Sequence, residues 1–185
     1  HYTRHGDGVK VIAFLVEDSA KSYDETIKRG AKSFIEPIEI SDENGIVVKS
    51  GIYTYGETVH LFIERKNYNG IFLPGFKEWK NNNSSKPIGL KYVDHIVGNV
   101  GWNEMNKWCN FYRDVLGFTQ IVSFDDNDIS TELSWSKVWL FSSRDRQIDF
   151  ILSADCAAFG LVGMLISSPL GRIIGKSART CEATN

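Results

Sequence analysis

His95, in the run YVDHIVGNV (92–100), is the side chain whose type and setting most invite chemistry. Val93, His95 and Val97 fall on one face of a period-two strand, with Tyr92, Asp94 and Ile96 on the other. An imidazole among valines is either a satisfied core histidine or a ligand. A neutral imidazole is a good metal ligand, and a strand fixes its direction better than a loop does. His60 and Glu64, in TVHLFIER, stand four apart and so share a face of a regular strand, as a metal pair would. A solvent-facing polar row on a half-buried strand is the plainer expectation for them. His5 and Asp7, in HGDG, read as a polar turn before a strand. Cys109 sits on a helical apolar stripe, the place of a small buried residue rather than a nucleophile. Trp102, Trp108, Phe111 and Tyr112 lack an accompanying basic surface, which assigns them to packing rather than to stacking on nucleic-acid bases.

These residues belong to a chain of 185, 42% hydrophobic, with 21 basic and 23 acidic side chains and a formal net charge of -2. That composition is of the soluble globular kind, sized for one large or two small domains, and gives no global attraction to a polyanion. Cys109, Cys156 and Cys181 are odd in number and unequally spaced, fitting neither a disulfide framework nor a zinc motif, so a cytoplasmic location is expected. The start, HYTRHGDGVK, has neither an initiator methionine nor a signal design, and the chain is expected to be part of something longer. Residues 156–171 contain no charged side chain, yet Gly, Ser and Pro interrupt them too often for a membrane-spanning helix.

Periodicity places a strand at 8–18 and a helix at 18–30, capped by Asp18 or Ser19. The helix has an apolar stripe of Ala20, Tyr23 and Ile27 and stops at Gly30. A strand through AKSFIEPIEI, a turn at Asn44-Gly45 and strands at 46–56 and 57–65 complete the order βαβββ. After a polar linker at 77–89 the order repeats. The strand around His95 leads to a helix at 103–117, with Asn103 as cap and a buried face of Met105, Trp108, Cys109, Tyr112, Val115 and Leu116. Strands through FTQIVSF, STELSWSKVWLF and RQIDFIL follow. His95 set against Val11 (95 − 11 = 84) and Gly117 against Gly30 (117 − 30 = 87) give nearly constant offsets, the mark of an internal repeat. Each unit covers one sheet face with its own helix and leaves the other face to a partner or a cavity.

The segments HGDGVKVIAFLVED, GIYTYGETVHLFIER, NYNGIFLPGF, YVDHIVGNV and WCNFYRDVLGF together resemble the 4-hydroxyphenylpyruvate dioxygenase family of the vicinal oxygen chelate superfamily, from about residue 1 to 152. The resemblance implies an α+β fold. Residues 1–76 are then the second βαβββ module, part of a metal-free domain, 77–89 a linker and 90–152 the third module, the first half of a catalytic domain. The first and fourth modules are absent, and 153–185 is a divergent tail of the sort a frameshift or read-through would produce. It further implies an Fe(II) site of two histidines and one glutamate, open to an α-keto acid and O2. His95 carries over as the first ligand, while the other two belong to the missing fourth module. Val11 and Leu61 occupy the corresponding ligand positions in residues 1–76. Ser136, in WSKVWLF, carries over as a substrate-binding residue.

By resemblance the complete enzyme converts 4-hydroxyphenylpyruvate and O2 to homogentisate and CO2 in tyrosine catabolism, as a homo-oligomer with no nucleic-acid or membrane partner. This fragment is expected to be inactive alone. Two alternatives are a 4-hydroxymandelate synthase-like enzyme, which hydroxylates the side chain, and a metal-free small-molecule-binding βαβββ protein.

Overall fold

The structure, a computed structural model, describes residues 2–79, 92–101, 103–124, 130–131, 134–135, 137–142, 149–154, 162–168 and 171–173. Side chains are described for 3–79, 96–101 and 103–120. Two compact units emerge, one of residues 10–86 and one of 1–9 with 87–185.

The first unit contains β1 (Val11–Leu15), a helix at Ser19–Lys28, β2 (Ser33–Asp42), β3 (Gly45–Tyr53) and β4 (Val59–Tyr68). A one-turn helix, Tyr2–His5, belongs to the other unit; we name it α1 and the Ser19–Lys28 helix α2. His5 therefore closes a helical turn, and Asp7 lies in the bend that follows.

The sheet order is β1-β4-β3-β2, with β1 parallel to β4 and the other neighbours antiparallel. Gly45, at φ 124°, makes the tight β2–β3 turn, where a Cβ would run into the Asn67 carbonyl oxygen. The Asp18 carboxylate accepts from the Lys21 backbone N–H at 2.8 Å and caps α2. Asp18→Ala should cost about 1 kcal/mol, read as a lower urea midpoint at unchanged m-value.

The buried face of α2 is not the expected stripe. Ser19, Tyr23 and Thr26 are buried, whereas Ala20 is exposed and Ile27 half-buried. Ser19 faces the sheet because its hydroxyl bonds there, and Thr26 can be buried because its hydroxyl is satisfied within the helix, on the Tyr23 carbonyl at 2.8 Å.

The second unit repeats the plan. It contains β5 (Tyr92–Val100), α3 (Met105–Asn110) continued by a π-helical turn (Phe111–Val115), β6 (Thr119–Phe124), β7 (Ser130–Thr131), β8 (Ser134–Trp135), β9 (Lys137–Ser142) and β10 (Asp149–Ala154). Its sheet includes the run β5-β10-β9-β6, with β5 parallel to β10, the same connectivity as in the first unit. The single strand expected over 130–141 is instead the short β7–β8 pair followed by β9.

Asn103 is not the cap of α3. It sits at φ 62°, a left-handed conformation that asparagine tolerates, and Glu104 takes the cap position without a side-chain bond to the helix backbone. The Glu104 carboxylate instead accepts from Lys107 Nζ at 2.7 Å and Trp108 Nε1 at 3.2 Å. Met105, Cys109, Tyr112 and Val115 are buried as expected, with Trp108 and Leu116 only half-buried.

Both helices stop at a left-handed glycine, Gly30 at φ 97° and Gly117 at φ 72°. At the first, Gly30 N–H donates to Ile27 O and Ala31 N–H to Thr26 O. At the second, Gly117 N–H donates to Arg113 O and Phe118 N–H to Tyr112 O, each span one residue longer. The π turn supplies that extra residue, which accounts for part of the widening offset between the repeats.

The rest of the second sheet comes from the tail. β11 (Val162–Ser168) pairs antiparallel with β5, and β12 (Gly171–Ile173) pairs with β11.

Candidate metal position and buried polar network

His95 is the fourth residue of β5, in register with Asp149 of β10 and Leu165 of β11. It opens the parallel ladder between β5 and β10, as Val11 opens that between β1 and β4 against Val59. The two units thus place a histidine and a valine at one topological position. That valine is 41% exposed. Further along β5, Ile96 and Val100 are buried. Ser136 lies outside the described residues.

His60 and Glu64 do not form a solvent-facing row. Both are buried, His60 at 0% exposure, on the sheet face that α2 covers. Its register partners are Ile12 and Ile52, and the Phe14 ring meets its imidazole edge-on at 5.1 Å. Burial drives its pKa down to about 3, against smaller upward pulls from hydrogen bonds with the Ile12 and Val59 backbone. The ring is a neutral core residue.

Glu64 anchors the start of α2. Its carboxylate accepts from Ser19 N–H at 3.1 Å and pairs with Lys66 at 2.9 Å, and the Lys66 hydrogen bond leads the causes that hold its pKa below the ordinary value. Ser19 Oγ donates to the Phe62 carbonyl at 2.9 Å and lies 2.8 Å from Ser50 Oγ, which donates to the Ser19 carbonyl at 3.0 Å. This network ties α2 to β3 and β4. Sequence reading missed it, although Phe62 and Glu64 stand two apart on β4; that Ser50 of β3 lies opposite Phe62 is a matter of register.

A surface concavity bordered by Glu17, Asp18, Lys21, Ser22 and Lys66 lies beside it, with two carboxylates opposing two ammonium groups. Cys109 is buried, and burial pushes its thiol pKa up to about 12, so it is no nucleophile at neutral pH. The described residues contain no group of three His, Cys, Asp or Glu placed to hold a metal ion. No described helix is long and apolar enough to cross a membrane.

No protein-family model matches the chain. Curated proteins do. It is 39% identical over 153 residues to 4-hydroxyphenylpyruvate dioxygenase of Yarrowia lipolytica, covering 80% of this chain and 39% of that one. Identity is 45% over 153 residues to the enzyme of that name from Dictyostelium discoideum, covering 80% and 42%. The chain is homologous to the 4-hydroxyphenylpyruvate dioxygenases. It spans about two fifths of the length of these dioxygenase relatives.

Among solved structures, a mutant 4-hydroxymandelate synthase from Streptomyces coelicolor superimposes with a TM-score of 0.65 at 16% identity, covering 84% of this chain and 43% of that one. A xylose isomerase-like TIM barrel/4-hydroxyphenylpyruvate dioxygenase fusion protein gives 0.57 at 12% identity, covering 88% and 25%. These two establish the fold, an α+β arrangement of βαβββ units, whose repeated sheet order is already visible within the chain.

Proposed function

We propose that this chain is the central part of a non-haem Fe(II), α-keto acid-dependent dioxygenase that converts 4-hydroxyphenylpyruvate and O2 to homogentisate and CO2. The observation that carries this reading is the 39–45% identity to curated dioxygenases over four fifths of the chain. His95 is the one iron ligand this chain contributes, on the strand where its repeat holds Val11. Ser136 contributes to the substrate pocket.

Bound iron supplies the activation of O2, whereas the protein orients the aromatic ring and excludes water. The chain spans about two fifths of the dioxygenase relatives' length, so the chemistry is assigned to the complete protein and no step of it to this chain. The complete protein is read as a cytoplasmic homo-oligomer of tyrosine catabolism. Residues 1–76 and 90–152 are read as its second and third modules, 77–89 as their linker and 153–185 as a departure from its sequence.

The purified chain, supplied with 4-hydroxyphenylpyruvate, Fe(II) and O2, should form no more homogentisate than its His95→Ala variant. Joined to an intact fourth module it should bind one equivalent of iron, lost on His95→Ala. Iron binding that ignores His95 in that longer protein sinks the assignment, and turnover by the chain as it stands sinks the claim that two ligands are missing.

A further inference from the structure

The two repeats differ at one edge. In the first unit the sheet ends at β1, while in the second β5 is followed outward by β11 and then β12. Both added strands lie in 162–173, beyond the stretch that resembles the dioxygenases. The β5–β11 ladder runs from Val162 opposite Gly98 to Ser167 opposite Tyr92. Its register shifts between Leu165 and Ile166, leaving Asp94, beside His95, as the extra residue of β5. β12 returns along β11 from Gly171 opposite Ser168 to Ile173 opposite Ile166.

We propose that β11 and β12 form an edge cap that the chain folds onto β5 and that blocks strand pairing between β5 and a second copy of the chain. An uncapped β5 presents a row of unpaired N–H and C=O groups on a strand, YVDHIVGNV, rich in β-formers and carrying one carboxylate. Such an edge is a template for another strand. β11, VGMLISS, has no charged residue, as suits a strand paired on both sides. β12, GRI, ends the sheet with three residues and one arginine, and short charged strands are how sheets discourage further addition. The change in sequence style at the tail thus matches a change in role, from module to edge cover.

Amide exchange on the intact chain tests this directly. Residues 162–168 should exchange about 100-fold or more slowly than an unstructured chain, together with the β5 amides. Leu165→Pro in the intact chain removes a ladder donor and breaks β11. We expect the β5 amides directed at β11 to lose protection while β9 and β10 keep theirs. The mass measured by light scattering should rise with concentration above that of the parent chain. Free-chain exchange at 162–168 in the parent overturns the proposal. So does a variant whose mass and β5 protection match the parent, and so does one that loses protection in every strand, which would make β11 and β12 part of the core.

Discussion

Replacing His60 with glutamine should flatten the pH dependence of stability between pH 6.5 and 4.5, where this histidine should cost the parent chain up to about 1.4 kcal/mol per pH unit. The ring is fully buried between Ile12 and Ile52 on neighbouring strands and beside Phe14. Its pKa is about 3 in the folded chain, against an ordinary value of 6.5. Below pH 6.5 the unfolded state binds a proton that the folded state refuses. The stability is therefore complete above pH 6.5 and declines as pH falls towards 3. Carboxylates act in a different window. Glu64, held low first by its Lys66 hydrogen bond and then by Ser19 N–H, contributes stability that is present above pH 4.5 and lost as pH falls through its lowered folded value. Urea midpoints at pH 7.5, 6.0 and 5.0 separate the two, because glutamine keeps a donor for the backbone but has no proton to gain. Parallel profiles for parent and variant would show that His60 is not the group responsible.

Tyr112→Ala should cost about 3–5 kcal/mol, the range for deleting a fully buried large aromatic side chain. Tyr112 is at 0% exposure in the π turn, with ring centroids of Phe111 and Phe118 at 5.7 and 5.8 Å. Its carbonyl accepts the Phe118 N–H that closes the helix. Truncation removes the ring around which that closure packs, and the surrounding residues relax too little to refill the space. Tyr112→Phe keeps the volume and should cost less than about 1.5 kcal/mol. Four of the five tryptophans, at 102, 108, 135 and 139, belong to the unit containing Tyr112, so intrinsic fluorescence during denaturation reports mainly on it. Equal costs for the two variants would place the stabilisation in the hydroxyl rather than in ring packing.

The repeat, its helix stops and the strand bearing His95 were legible because each rests on local chemistry. Gly30 and Gly117 end their helices since a left-handed residue is needed there, and Asp18 caps because its carboxylate reaches an N–H three residues away. The errors share a cause of their own. His60 and Glu64 carry polar atoms that sequence reading sends to water, but both are interior, and Glu64 accepts from Ser19 N–H 45 residues away. Asn103 lost the cap position to Glu104 because the backbone turned left-handed before the helix began, and spacing carries no trace of that.

By itself the sequence determined the repeated βαβββ order, the kinship with the dioxygenases and the strand position of His95, since periodicity and motif are properties of neighbouring residues. Tertiary structure alone decided that Val11 and His95 open equivalent parallel ladders, that His60 is a neutral core residue, and that the divergent tail pairs with β5. Register, desolvation and edge pairing depend on contacts between segments far apart in the chain, and these exist only once it has folded.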